Sequence, residues 1–251
     1  MIGYMITQKS ELGNYEEAYK VINVLFTVVS SLGIVMVPRI ASVFAAGDKK
    51  KINEYIINSF RFVFFLAFPM MMGIITVSKE FVPIFLGDGY EKAVSIVNAL
   101  APMILFSGIT NVIGTQYLLP TKRQKQYTIS ILAGLIVNII LNLIFIPPFG
   151  AFGAAIVTII SQFIVVIVQA YYVKDEISIS KALHSSKKYL LSSVVMFVVC
   201  IIAGLFTKNP IASIITRVIV GGITYIGMLI ILKDKYVYEV KDMVKRQLKI
   251  K

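Results

Sequence analysis

The 251-residue chain is 57% hydrophobic and 15% charged, with a formal net charge of +12 and a mean hydropathy of +0.82. Soluble domains use roughly 45–50% apolar residues, so this chain lacks the polar skin of a water-soluble core and reads as an integral membrane protein. A single cysteine, Cys200, and a single histidine, His184 in a lysine-rich loop, exclude a disulfide framework and a multi-cysteine metal site; no catalytic residue, metal or cofactor is expected.

In chain order, the first charge-free run lies between Lys20 and Arg39. Ala45-Ala46-Gly47-Asp48 then reads as a helix stop at Gly47 and an N-cap at Asp48. The second run lies between Arg61 and Lys79, and "KEFVPIFLGDGYEKA" after it reads as a short, partly apolar interfacial loop. A third run extends from Lys92 to Lys122, and Thr121 with Gln124 reads as a capping box opening the next helix. The 48 residues between Lys125 and Lys174 are too many for one span, since about 20 apolar residues cross a bilayer core. Pro147-Pro148-Phe149-Gly150 divides them, because proline and glycine break helices and Ile146 before proline favours an extended backbone. The runs Lys188–Lys208 and Pro210–Leu232 complete the set, the last with Arg217 inside it. The expected architecture is therefore all-α, with about seven transmembrane helices near 18–38, 61–78, 95–119, 126–147, 151–173, 189–207 and 210–232. A basic tail, 233–251, follows.

Charge asymmetry sets the expected orientation. Alternate segments outside the spans hold 19 Lys and Arg residues on one face and 5 on the other. Positive residues stay cytoplasmic, which puts the N-terminus outside and the C-terminus inside. The +12 is then a cytoplasmic-face signature, with membrane lipids as partners of the tail and no nucleic acid implied. Without tryptophan, Tyr117, Tyr127, Tyr171, Tyr172 and Tyr189 are the expected aromatic belt.

Four spans carry polar stripes at helical spacing. These are Asn23, Thr27 and Ser30; Ser107, Asn111 and Thr115; Asn138 and Asn142; and Thr158, Gln162 and Gln169. Each residue taken singly has an ordinary role in interhelical hydrogen bonding. Four stripes together point to a hydrated path, because polar groups within a membrane face a bundle interior or cavity.

"LGNYEEAYKVINVLFTVVSSLGIVMVPRIA", "FLGDGYEKAVSIV" and "YLLPTKRQKQYTISILAGLIVNIILNLIFIPPFGAFGAAIVTIIS", in that order, resemble the C-terminal half of the polysaccharide-unit flippases. These belong to the multidrug/oligosaccharidyl-lipid/polysaccharide exporter superfamily. Gly13, Tyr15, Ala18, Pro38-Arg39, Gly87, Gly89, Tyr90, Asn142, Pro147, Gly150, Gly153 and Ala154 carry the resemblance over nearly the first 175 residues. It implies one lobe of a two-lobed transporter that moves an undecaprenyl-diphosphate-linked oligosaccharide across a bacterial cytoplasmic membrane by alternating access, breaking no bond. The partners implied are that substrate, a missing N-terminal lobe or a second copy, and polysaccharide-assembly proteins. The short chain, opening at "MIGYM", is expected to be a truncated or split product.

On that reading Asn23, Thr27, Asn111, Thr115, Asn138, Asn142, Gln162 and Gln169 are the substrate-path candidates, and Arg39, Arg61 and Arg217 the candidates for an anionic headgroup. Arg39 and Arg61 also fit ordinary positive-inside anchoring. Arg217, seven residues from Pro210, is expected to snorkel to the surface. A cation-coupled multidrug exporter of the same superfamily would use an intramembrane carboxylate, and none of the 13 acidic residues lies within the charge-free runs. A polymerase would need a larger outside loop, and a non-transporting scaffold is the alternative if the half-length chain is complete.

Overall fold

The computed structural model describes residues 9–234 and 236–238, and these are helical apart from short turns. The opening "MIGYM" and tail residues 239–251 lie outside them. The helices are α1 (Lys9–Ser30), α2 (Leu32–Ala45), α3 (Lys49–Leu86), α4 (Glu91–Leu100), α5 (Met103–Thr110, continuing as a π-helix over Asn111–Leu118), α6 (Gln124–Val173), α7 (Ile179–Leu205) and α8 (Pro210–Ile231). Among the described residues five helical stretches are long and apolar enough to cross a membrane, and the α1–α2 pair, bent by 41°, makes a sixth.

The 50-residue α6 hides one more. A straight helix of that length would run about 75 Å, more than twice the hydrocarbon core. Gly150, however, has φ 59° and ψ −139°, and the chain folds back there into two arms. Gln169 Nε2 of the second arm donates to Ser130 Oγ of the first at 3.2 Å. A methyl on Gly134 would lie 2.4 Å from Val165 Cγ2. Both contacts pair residues equidistant from the turn. The break expected within Pro147-Pro148-Phe149-Gly150 thus falls at its last residue, Gly150, with both prolines still helical. Proline tolerates helical φ, whereas only glycine takes the positive φ of the reversal without strain.

Other turns follow local chemistry. Gly47 (φ 75°) ends α2, and Asp48 accepts the Lys51 N–H at 3.0 Å, as an N-cap does. Residues 79–86, expected as part of an interfacial loop, continue α3 to Leu86. The capping box does not form: Arg123 precedes α6, and Thr121 Oγ1 bonds back to Tyr117 O at 2.7 Å. The chain reverses one residue later, at Lys122 (φ 62°), so Thr121 still belongs to the end of the preceding helix. His184 lies on α7 rather than in a loop.

The bend between α1 and α2 has a visible cause. Thr27, Ser30 and Ser31 each donate a hydroxyl back to a carbonyl of their own helix, those of Asn23, Thr27 and Val28. Such back-bonds compete with the ladder and bend helices.

Helix α3 is the spine. The buried residues Phe60, Phe64 and Phe68 stack along it, and α7 and α8 pack on it and on each other. Polar ties between helix ends fall into two layers. In one, Glu11 pairs with Lys92 at 2.6 Å and accepts the Ala151 N–H at 3.1 Å, and Arg217 meets Glu80. In the other, Glu176 is bonded by Arg123 and by Tyr117 at 2.5 Å, and Asn53 accepts the Ser178 N–H at 3.1 Å. Each tie joins segments that alternate crossings would leave on the same face.

The expected tyrosine belt is mostly absorbed by packing. Tyr117 and Tyr189 are buried, and their hydroxyls are bonded to Glu176 and Asp234. Tyr127 faces a cavity, Tyr172 is half-buried, and Tyr171 is exposed. A phenol hydroxyl near a carboxylate gains more from a bond than from a place at the lipid surface.

Candidate functional site

A cavity of about 560 Å³ lies between α1, α5 with its π-helical continuation, and both arms of α6. Asn23, Asn111, Thr115, Asn138, Gln162 and Gln169 line it, joined by Ser107, Thr158 and Ser161. Among the described residues its lining holds amides, hydroxyls, two tyrosines and apolar side chains, with no Asp, Glu, Lys, Arg or His. Such a wall offers neutral donors and acceptors in a low-dielectric setting, the chemistry that matches hydroxyl-rich molecules rather than charges.

Three elements build it. The π-helix Asn111–Leu118 places residues five apart on one face, so Gln116 Nε2 donates to Asn111 Oδ1 at 3.0 Å. Glycines let the walls approach. A methyl on Gly114 would meet Gln169 Nε2 at 2.8 Å, and one on Gly33 would meet Asn111 Oδ1 at 3.0 Å. Cross-helix bonds then fix the lining. Gln162 Nε2 donates to Ser107 Oγ at 3.4 Å, and the Tyr15 and Thr158 hydroxyls bond at 2.9 Å. The buried Gln169 Oε1 has no hydrogen-bond partner among the described residues.

Two path candidates lie elsewhere. Thr27 is exposed and spends its hydroxyl on the Asn23 carbonyl at 2.9 Å. Asn142 is buried one turn from Asn138, donating to Asn138 Oδ1 at 2.9 Å, so it holds a lining residue rather than lining the cavity. The arginines are not at the cavity either. Arg39 is exposed, and Arg61 lines a separate basic pocket. Arg217 does not snorkel. It donates to Glu80 Oε1 and Oε2 at 2.9 and 3.1 Å and to the Thr76 carbonyl.

Gly204 of α7 makes this crossing possible, because any side chain there would occupy the guanidinium's place. Thr76 is 15 residues beyond Arg61 on α3, about 22 Å along the axis. The carboxylate that the apolar runs excluded therefore sits just past one of them, on a longer helix than expected, already matched by a cation. Sequence reading missed Glu80, Tyr15, Gln116 and Ser130. Of these, Tyr15 lay among the residues that carry the resemblance, and Glu80 was an acidic residue just past a charge-free run on the side where Arg217 enters.

At the ends of the helices the electrostatics are simple. The Lys92 ammonium, and after it the Ala151 amide, hold the Glu11 carboxyl below its usual range. Burial works against the ionised form of Glu176, but its bonds to Arg123 and Tyr117 prevail and its pKa is also lowered.

Taken together, the helices and cavity define an all-helical, multi-pass membrane protein with the fold of a flippase half. The resemblance to the polysaccharide-unit flippases holds. Residues 1–95 match the family described as polysaccharide biosynthesis protein. The chain is 26% identical over 92% of its length to an uncharacterized membrane protein of Methanocaldococcus jannaschii, covering 46% of that protein. It is 26% identical over 71% of its length to a probable low-salt glycan biosynthesis flippase of Haloferax volcanii, covering 38% of it. With the lipid II flippase of Bacillus subtilis it shares 24% identity over 75% of its length and 34% of the relative's. The solved structure of lipid II flippase MurJ, in an inward closed conformation, superimposes with a TM-score of 0.78 at 23% identity, over 89% of this chain and 48% of that one. The chain thus spans less than half the length of the curated relatives it matches.

Proposed function

We propose that this chain is the C-terminal lobe of a non-enzymatic transporter that carries lipid-linked oligosaccharide units across a bacterial cytoplasmic membrane for surface-polysaccharide assembly. The observation that carries the reading is the neutral amide- and hydroxyl-lined cavity between α1, α5 and the α6 hairpin, set in a fold whose named relatives are flippases. A second lobe, or a second copy, would form the opposite wall, and alternating access would move the glycan past Asn111 and Gln162. An undecaprenyl-diphosphate carrier fits as the lipid, with the glycan rather than the diphosphate meeting this wall. The charge asymmetry of 19 against 5 supports an orientation with the N-terminus outside and the C-terminus in the cytoplasm.

The test is export in the two-lobed protein. Gln162→Leu and Asn111→Leu should each lower glycan export severalfold at unchanged membrane abundance. Asn142→Leu should chiefly lower abundance. Unchanged export per molecule in both cavity variants would remove the cavity from the path.

A further inference from the structure

A second cavity, of about 850 Å³, shares no lining residue with the first and lies where the N-terminal part of α7 and the chain after α8 meet α3. Arg61, Lys181, Lys187, Lys188 and Lys233 line it, with His184. Among the described residues one carboxylate, Asp234, lines the pocket with them. Its Oδ1 is already engaged, accepting from the Tyr189 hydroxyl at 3.3 Å and from the Tyr236 N–H at 3.1 Å. Lys188 Nζ donates to the Leu232 carbonyl at 2.9 Å, satisfying the end of α8 and fixing that side of the pocket. Positive side chains from three separate elements, Arg61 of α3, Lys187 and Lys188 of α7 and Lys233 after α8, are gathered around one volume, an arrangement that favours an anion there.

The surroundings say what kind of anion. Immediately along α7 and α8 from the pocket, Leu190, Leu191, Ile230 and Ile231 are exposed. These apolar faces belong to membrane-length helices. A ligand with a phosphate head and hydrocarbon chains satisfies both surfaces at once, and basic pockets between transmembrane helices hold lipid headgroups in this way. We propose that this pocket binds the phosphate headgroup of an anionic membrane phospholipid, with the acyl chains lying along α7 and α8. The site is separate from the transport cavity and does not rest on the transport reading.

The experiment titrates phosphatidylglycerol into the purified chain in zwitterionic detergent and follows the melting temperature. Wild type should be stabilised by phosphatidylglycerol and not by phosphatidylcholine. Lys187→Gln/Lys233→Gln should weaken the response on the order of tenfold, while Lys187→Arg/Lys233→Arg retains it. Lys50→Gln/Lys51→Gln, an equal loss of charge on the exposed start of α3, should respond like wild type. Equal losses in the two glutamine pairs would reduce the effect to diffuse surface charge and overturn the site. So would stabilisation by phosphatidylcholine, or by inorganic pyrophosphate as strongly as by phosphatidylglycerol.

Discussion

The α1–α6 body and the α7–α8 pair are equally apolar to the eye, yet they place polar groups by opposite rules. In the body, amides sit mid-helix and face one another across a cavity. Helices α7 and α8 contain no Asn or Gln at all; their buried polar side chains are Ser192, Ser193 and Ser213, and their charges lie in the first half of each helix, with Arg217 alone inside an apolar run. Burial divides the molecule differently: half of the most apolar window of α3 is buried, against 22% for α6, 28% for α7 and 17% for α8. Membrane helices that enclose something need polar residues at depth, whereas helices that lean on a wall need them only where they meet water or another charge.

The contrast is sharpest where the two regions are joined. The Arg217–Glu80 tie is the deepest charge contact between them, with side-chain exposures of 13% and 20%. Glu80→Leu should cost about 3–5 kcal/mol by stranding the guanidinium, seen as a large fall in melting temperature in detergent. Glu80→Leu with Arg217→Met should recover most of the loss. A double variant as unstable as the single one would show that the pair itself, rather than the stranded charge, carries the stability.

Glycines offer a second comparison. A methyl on Gly153 in the α6 hairpin would lie 2.4 Å from the Phe145 carbonyl oxygen, while one on Gly222 of α8 has nothing within 4 Å. Gly153→Ala should therefore destabilise by about 1–3 kcal/mol, and Gly222→Ala should be neutral or gain up to about 1 kcal/mol from helix propensity. Denaturation of the two variants side by side decides it, and equal effects would contradict the tight turn.

The smallest effect concerns pH. Glu11 ties the body together through Lys92 and Ala151, and its pKa lies below the ordinary 4.5. A lowered folded-state pKa gives stability that is present above pH 4.5 and lost as pH falls through the lowered value. The melting-temperature gap between wild type and Glu11→Gln should accordingly be open near neutrality and close in acid. A gap that widens in acid would show that Lys92 and Ala151 do not hold the ionised carboxylate.

Much of this was legible because it is local. The apolar runs, the Gly47–Asp48 turn and the helical spacing of the stripes all lie within a few residues, and six of the eight path candidates line the cavity. What escaped was set by distant or geometric partners. Arg217 looks like a snorkelling residue until Glu80, 137 positions away, is brought beside it. Thr27 shares a spacing with Asn23 but satisfies itself on its own backbone. Asn111 and Gln116 meet because their helix is wound in π register, which no spacing rule for an α-helix anticipates.

That winding has a consequence of its own. A π-helical stretch carries a surplus residue relative to an α-helix. Deleting Ile113, which lies between them, would leave Asn111 and Gln116 four apart, the spacing that shares a face in an α-helix, so the tighter winding could take over without separating them. Substituting neither residue but forcing α winding on the full-length stretch would instead turn Gln116 away from Asn111 by about 100°. The pairing is thus encoded partly as a count, five residues in π register standing for four in an α-helix.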